Sequence, residues 1–138
     1  MDLLSKCSAF EWHITPIVRG EIRSARTLDA LNHAIIEGKV KTVEFDSDDD
    51  AVHVFAKWRD WVDPGEAEAI AVSISRDWMV ALEDRKAQRL MDREVGPGRW
   101  TNLLGILVSA VRSDELSVGE ADGIFESLDV FAGYKKKR

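Results

Sequence analysis

The chain has 138 residues, of which 45% are hydrophobic and 32% are charged, and its formal net charge is -6. This length and apolar content suit one globular domain with a real core, and a second full domain would be crowded. The net charge argues against nucleic-acid binding through bulk positive charge, although it is compatible with a local basic rim around an acidic site.

The cysteine content and the hydropathy pattern bear on the environment of the protein. Cys7 is the single cysteine, which excludes an intrachain disulfide, disfavours a cysteine-built zinc site and suits a reducing cytoplasm. No apolar run approaches the roughly 20 residues that span a bilayer, and the amino terminus lacks the apolar region of a signal peptide. We expect a soluble cytoplasmic protein without a membrane partner, with one domain over residues 1–134 and a basic tail over 135–138.

The first third of the chain alternates strand and helix patterns. Trp12–Thr15 has the composition of a short strand, and Pro16–Ile22 follows as a helix, because proline is tolerated at a first helical position. Thr27 is a candidate cap for a second helix, which Gly38 ends at the C′ position. Residues 40–45 then alternate as a half-buried strand.

Two further helices are predicted in the middle of the chain. A helix capped by Asp46 or Ser47 extends to Trp61. Pro64 and Gly65 then break the chain and begin the next helix.

The helix that follows Pro64 carries two glutamates in its first turns. Glu66, Ile70 and Ile74 are four residues apart and fall on one stripe, so Glu66 shares its face with core residues. Glu68 is two positions further on and is expected to point to solvent.

An acidic pair follows the short apolar run at residues 78–82. The length of this run and its aromatic start favour a buried strand, with Glu83 and Asp84 at its carboxyl end. Open α/β sheets place their sites at that edge. Two inward carboxylates at a strand end and a helix start repel each other unless a proton or a cation lies between them. The pattern therefore predicts a site for a hard divalent metal.

The remainder of the chain is predicted to be mostly helical. Arg85–Glu94 and Thr101–Val111 are predicted helices, with a glycine and proline turn at residues 96–98, and a last helix covers Ser117–Phe131. The alternation of strands and helices predicts an α/β fold with a largely parallel sheet covered by helices on both faces.

Four segments carry a more specific signal when their order and spacing are taken together. They are TPIVRGEI at 15–22, GEAEAIA at 65–71, EDRKA at 83–87 and TNLLGIL at 101–107. In these segments the chain resembles the PIN domain, in particular its prokaryotic PIN-like branch of nucleic-acid-binding proteins. The resemblance extends over most of the chain, from Trp12 to Tyr134.

The resemblance implies both a fold and a function. PIN domains are three-layer α/β/α sandwiches with a mostly parallel sheet, and many of them hydrolyse RNA with Mg²⁺ or Mn²⁺ bound at its carboxyl edge. Many are toxins of toxin–antitoxin pairs, so single-stranded RNA and an antitoxin protein are the expected partners. The alternative is a catalytically impaired PIN-like module that binds nucleic acid or another protein.

The family pattern also implies roles for individual residues. The catalytic acids are expected to be Glu21, Glu66 and Asp84, and the same three with the neighbouring Glu83 are the expected metal ligands. Arg85 and Lys86 are expected to meet the phosphates of the substrate, and Thr101 is expected to hydrogen-bond a metal-bound water or an acidic ligand. Read without the resemblance, Glu66 and Asp84 are an ordinary helix-start acid and a surface turn acid.

The chain departs from the family pattern at its start. PIN domains begin with a central strand that carries an aspartate near its end, whereas Met1–Leu4 matches the helix after that strand. Asp2 lies too early to replace the aspartate. We therefore expect either a start upstream of Met1 or a form without one ligand, here described as N-terminally shortened. An absent central strand leaves a groove with unpaired amides and carbonyls, which predicts a homodimer or other self-association.

Overall fold

The computed structural model describes residues 11–44, 50–113 and 116–121, and it has a mixed α/β fold. The elements are β1 Trp12–Ile14, α1 Pro16–Gly20, α2 Ala25–Ile36, β2 Val40–Thr42, α3 Asp50–Trp58, α4 Pro64–Arg76, β3 Val80–Ala81, α5 Arg85–Glu94, β4 Trp100–Thr101 and α6 Leu103–Arg112. None of the helices within these described residues is long and apolar enough to cross a membrane.

The four strands form two separate parallel pairs. β1 pairs with β2, and β3 pairs with β4, with Val80 opposite Trp100. Within the described residues neither pair has a third strand, so the expected strands are present and parallel but do not form one continuous sheet. The coarse α/β prediction is confirmed.

Residues of β1 and β3, which belong to different strand pairs, line one cleft. Beyond the carboxyl end of β1, Glu21 lies against the start of α4. Near the carboxyl end of α4, the ring of His13 stacks on the ring of Trp78, with 4.1 Å between the ring centroids. Trp78 lies between α4 and β3. The two strands therefore flank a cavity of about 550 Å³ whose floor includes Ala69 and Val72 of α4.

The largest hydrophobic cluster lies where α3, α4 and α5 pack around β3. Its buried members include Trp58, Ile70, Val80, Leu82 and Met91. Two smaller clusters lie around α6 and around the contact of α2 with β1 and β2. Because the last turn of α3 and the first turns of α4 share this core, the start of α4 is held firmly beside the end of β3.

Side chains before each helix determine where several helices begin. The hydroxyl of Ser24 accepts a hydrogen bond from the N–H of Thr27, so α2 begins earlier than the predicted Thr27 cap. Asp63 and Asp84 cap α4 and α5. Gly38 follows α2 with a φ of 75°, the left-handed conformation that glycine adopts at a helix end, as predicted.

Some predicted bounds differ from the observed elements. The helix predicted from Pro16 ends at Gly20, and the helix predicted from Thr101 begins at Leu103, because Thr101 belongs to β4. The predicted strand at 40–45 is β2 over Val40–Thr42. The predicted caps Asp46 and Ser47, the basic tail 135–138 and the last predicted helix beyond residue 121 lie outside the described residues.

Candidate acidic site

Four acidic residues lie where the carboxyl ends of β1 and β3 meet the first turn of α4. Asp63 caps α4 and Glu66 lies in its first turn. Glu21 follows α1, and Asp84 follows β3. The segments after α1 and after β3 and the first turn of α4 therefore bring together acids that are up to 63 positions apart in the sequence.

Asp63 and Glu66 form a coupled pair. An Oδ oxygen of Asp63 accepts a hydrogen bond of 2.9 Å from the N–H of Glu66. Burial, a side-chain hydrogen bond to Asp63 and the charges of Asp63, Asp84 and Glu21 together raise the pKa of Glu66 to about 8. The same hydrogen bonds from Glu66 lower the pKa of Asp63. The raised pKa therefore favours the protonated form of Glu66 near neutral pH, in which its hydroxyl donates a hydrogen bond to the Asp63 carboxylate.

One oxygen of Glu66 has no hydrogen-bond partner. Its Oε2 atom is buried and makes no hydrogen bond within the described residues. An unpaired buried oxygen costs free energy, which a proton donor or a cation at this position would recover.

Glu21 lies directly against the backbone at the start of α4. A β-carbon on Gly65 would lie 2.6 Å from Oε1 of Glu21, so this close approach requires glycine. The positive end of the α4 dipole favours a carboxylate at this position. Glu21 was predicted within a helix; it is instead the residue after α1, since that helix ends at Gly20.

Glu68 is buried, and the prediction that it points to solvent is wrong. Its side chain is 3% exposed, and Oε1 accepts a hydrogen bond of 2.8 Å from the N–H of Ile17 in the first turn of α1. The single-stripe pattern failed because α4 packs against α1 as well as against the core. The structure gives the reason for this contact, since Thr15 makes no side-chain cap and the amides at the start of α1 need an acceptor from elsewhere.

The two acids after β3 have different partners. The Glu83 carboxylate accepts a hydrogen bond from the N–H of Leu103 at the start of α6, and its charge is not among those that raise the pKa of Glu66. Asp84 accepts a hydrogen bond of 3.1 Å from the N–H of Lys86, and its charge acts on Glu66. The structure thus brings Glu21, Glu66 and Asp84 together and uses Glu83 to cap a helix.

The expected substrate-binding residues lie at two different places. Arg85 and Lys86 are exposed in the first turn of α5, immediately after Asp84. Thr101 is half-buried in β4, lines the cleft between the two strand pairs, and its hydroxyl lies against Gly105.

The oxygen donors of the acidic site suit a divalent cation, but they do not converge on one ion position. Within the described residues, no group of three His, Cys, Asp or Glu side chains is close enough to hold one ion together. Hard oxygen donors and one unpartnered buried oxygen nevertheless fit Mg²⁺ or Mn²⁺, which keep several waters and need only one or two protein carboxylates.

Comparisons with known proteins give no independent identification. No family model, no curated protein and no solved structure matches the chain. The PIN-like assignment therefore stays a prediction from the residues, and a function must be argued from the acidic site.

Proposed function

We propose that the chain is a PIN-like ribonuclease that hydrolyses RNA phosphodiesters with Mg²⁺ or Mn²⁺ held by Glu66, Asp84 and Glu21. The observation that carries the proposal is the Glu66 carboxyl group, which has a buried unpartnered oxygen and three acidic neighbours. The raised pKa of Glu66 favours a protonated carboxyl group near neutral pH, and a bound cation would displace that proton. By its resemblance the protein would act as the toxin of a toxin–antitoxin pair.

The residues around the site prepare it for this chemistry. Asp63 fixes the start of α4, and Gly65 lets the Glu21 carboxylate approach the same turn. Asp84 adds negative charge from the end of β3. When bound, the metal ion would polarise the phosphate and lower the pKa of a coordinated water.

Cleavage of a fluorescent single-stranded RNA in Mn²⁺ tests this proposal. We expect cleavage by the wild-type protein and loss of activity of at least 100-fold in Glu66→Gln and Asp84→Asn, because each variant replaces a carboxyl group that can bind a cation as a carboxylate by a neutral amide of similar shape. Asp29→Asn, an exposed position on α2, is the matched control. Equal activity of the wild type and the three variants would contradict the assignment of the site.

A second candidate function, a protein-interaction module, is favoured by the cleft between β1 and β3. The N–H groups of Val80 and Leu82 bond to Arg99 and Thr101 at the β4 side, so the alternation of a parallel strand directs the backbone of Ala81 toward the cleft. Likewise, the carbonyl of Ile14 accepts from Val43 at the β2 side, so the backbone of His13 faces the cleft.

In the part of the chain that the structure describes, open strand edges on both sides of one cleft favour pairing with an added strand. The module would act through self-association, which solution mass measures; a clean monomer across a broad concentration range would contradict it. Ala81→Pro removes an edge donor without removing a bond to β4 and should weaken association. Ala25→Pro, at the first position of α2, is the control that a helix tolerates.

A further inference from the structure

The outward face of α5 is rich in arginine and lysine. Ala87 and Met91 of this helix are fully buried in the main core, which fixes the rotation of the helix. The cationic side chains on the exposed side are Arg85, Lys86, Arg89 and Arg93. Because the buried face is anchored, the direction of these charges is a fixed property of the fold.

Among the residues that the structure describes, most of these charges have no acidic partner. Arg93 forms an ion pair of 3.1 Å with Glu94 at the end of the helix. By contrast, the side chains of Arg85, Lys86 and Arg89 have no hydrogen-bond or ion-pair partner within residues 11–44, 50–113 and 116–121. Asp92, the other acid of α5, accepts a hydrogen bond of 2.9 Å from the indole of Trp100. The uncompensated positive charge therefore lies in the first two turns of α5.

These turns begin at the acidic site. Asp84 caps α5, so Arg85 and Lys86 follow directly after one of the four site acids. Arg89 is one helical turn further along the same face as Arg85, about 6 Å along the helix axis. The three side chains form a local cationic track beside an anionic site, in a chain whose net charge is -6. This arrangement suits a polyanionic substrate, whose backbone would contact the track while the bond to be cleaved lies at the metal.

We propose that Arg85, Lys86 and Arg89 form a binding track for the phosphate backbone of single-stranded RNA, which runs along α5 away from Glu66 and Asp84. This inference rests on the proposed ribonuclease function and adds Arg89 and the path of the substrate to it. Arginine suits this role because its planar fork binds phosphate oxygens in pairs. The track reads phosphates and not bases, so it gives affinity without sequence preference.

Fluorescence anisotropy of a labelled 20-nucleotide oligouridine tests the track. The binding is measured from 50 to 200 mM salt in the Glu66→Gln background, so that cleavage does not interfere. We expect Arg85→Ala/Arg89→Ala to weaken binding at low salt by at least 10-fold. The slope of log affinity against log salt should also fall by about 1.4, which is about 0.7 for each lost phosphate contact. Lys86→Ala should weaken binding in the same direction.

The matched control is Arg23→Ala/Arg26→Ala, which removes the same charge from exposed positions near the start of α2. It should change the affinity by less than twofold. Equal losses in the two double variants, or no RNA binding by the parent protein, would overturn the inference. Equal binding of oligothymidine would support phosphate recognition. Failure of the ribonuclease proposal is seen separately, as absence of Mn²⁺-dependent cleavage in the wild-type protein.

Discussion

The buried Glu68 carboxylate accepts a part-buried hydrogen bond of 2.8 Å from the backbone N–H of Ile17, which joins α4 to α1. Pro16 has no N–H, so Ile17 supplies the first available donor of α1. Because α1 leads directly to Glu21, this bond also positions a site acid without contacting it. A glutamate that lies two residues from Glu66 therefore supports the site from within the fold.

Loss of this bond should destabilise the protein. Glu68→Ala leaves the Ile17 donor unsatisfied and should lower the free energy of unfolding by about 1 to 3 kcal/mol. Glu68→Gln keeps an acceptor oxygen and should cost less. Urea unfolding of the three proteins measures the difference, and equal stability of the alanine variant and the wild type would contradict the assigned role.

The stability of the metal-free protein should depend on pH through Glu66. Its pKa is about 8 in the folded protein and near 4.5 when unfolded, so its protonated form stabilises the fold fully below pH 4.5 and this stabilisation is lost as the pH rises through 8. Between pH 6 and pH 9 we expect a loss of about 1 to 2 kcal/mol in the free energy of unfolding, after allowance for partial exposure.

Glu66→Gln should abolish this decline, because glutamine does not titrate. The measurement is urea unfolding with a chelator at several pH values. Asp63 gives an opposite dependence at acid pH, since its lowered pKa makes its contribution disappear as the pH falls below about 4. Parallel curves for the wild type and Glu66→Gln between pH 6 and pH 9 would show that Glu66 does not hold a proton.

Gly65→Ala should move Glu21 while leaving the fold intact. The added β-carbon would overlap the Glu21 carboxylate, which is the free end of a flexible side chain. The free energy of unfolding should therefore change by less than about 1 kcal/mol. Mn²⁺ affinity should fall several-fold. Gly20→Ala is the control, because a β-carbon there meets nothing within 4 Å. Unchanged Mn²⁺ affinity in Gly65→Ala would show that Glu21 is not a ligand of the metal site.

Glu83 and Asp84 should differ in their effect on metal affinity. Glu83 is bonded to Leu103, so Glu83→Gln should change Mn²⁺ binding by less than about twofold and stability by about 1 kcal/mol. Asp84→Asn retains a good helix cap and removes a charge next to Glu66, so binding should weaken by about 10-fold. Calorimetric titration of both variants with Mn²⁺ checks this order. A larger loss of affinity in Glu83→Gln than in Asp84→Asn would make Glu83, and not Asp84, the metal ligand.

Local signals predicted the helices well where one side chain controls the boundary. Arg85–Glu94 has the predicted bounds because Asp84 is a strong cap, and Gly38 ends α2 because only its backbone readily takes a positive φ. The two-residue strand Trp100–Thr101 was not predicted, because so short a segment has no periodicity of its own.

Long-range packing accounts for the rest. The sequence pattern placed Glu66 at a helix start and Asp84 at a strand end, and the resemblance to PIN domains added Glu21. The structure places the charges of Glu21 and Asp84 close enough to act on Glu66. The environment of Glu68 depends on α1, which lies 51 residues away along the chain, and no stripe within α4 contains that information. The separation of the strands into two pairs likewise depends on long-range packing, which no local sequence pattern contains.

The central claim is that the acids around Glu66 hold a divalent cation, and Mn²⁺ binding measured by electron paramagnetic resonance tests it most directly. We expect one ion per chain, with an affinity that rises as the pH passes through about 8 because the Glu66 proton must leave. Glu66→Gln should bind at least 10-fold more weakly and lose that pH dependence. No binding by the wild type, or equal binding by Glu66→Gln at every pH, would contradict the account.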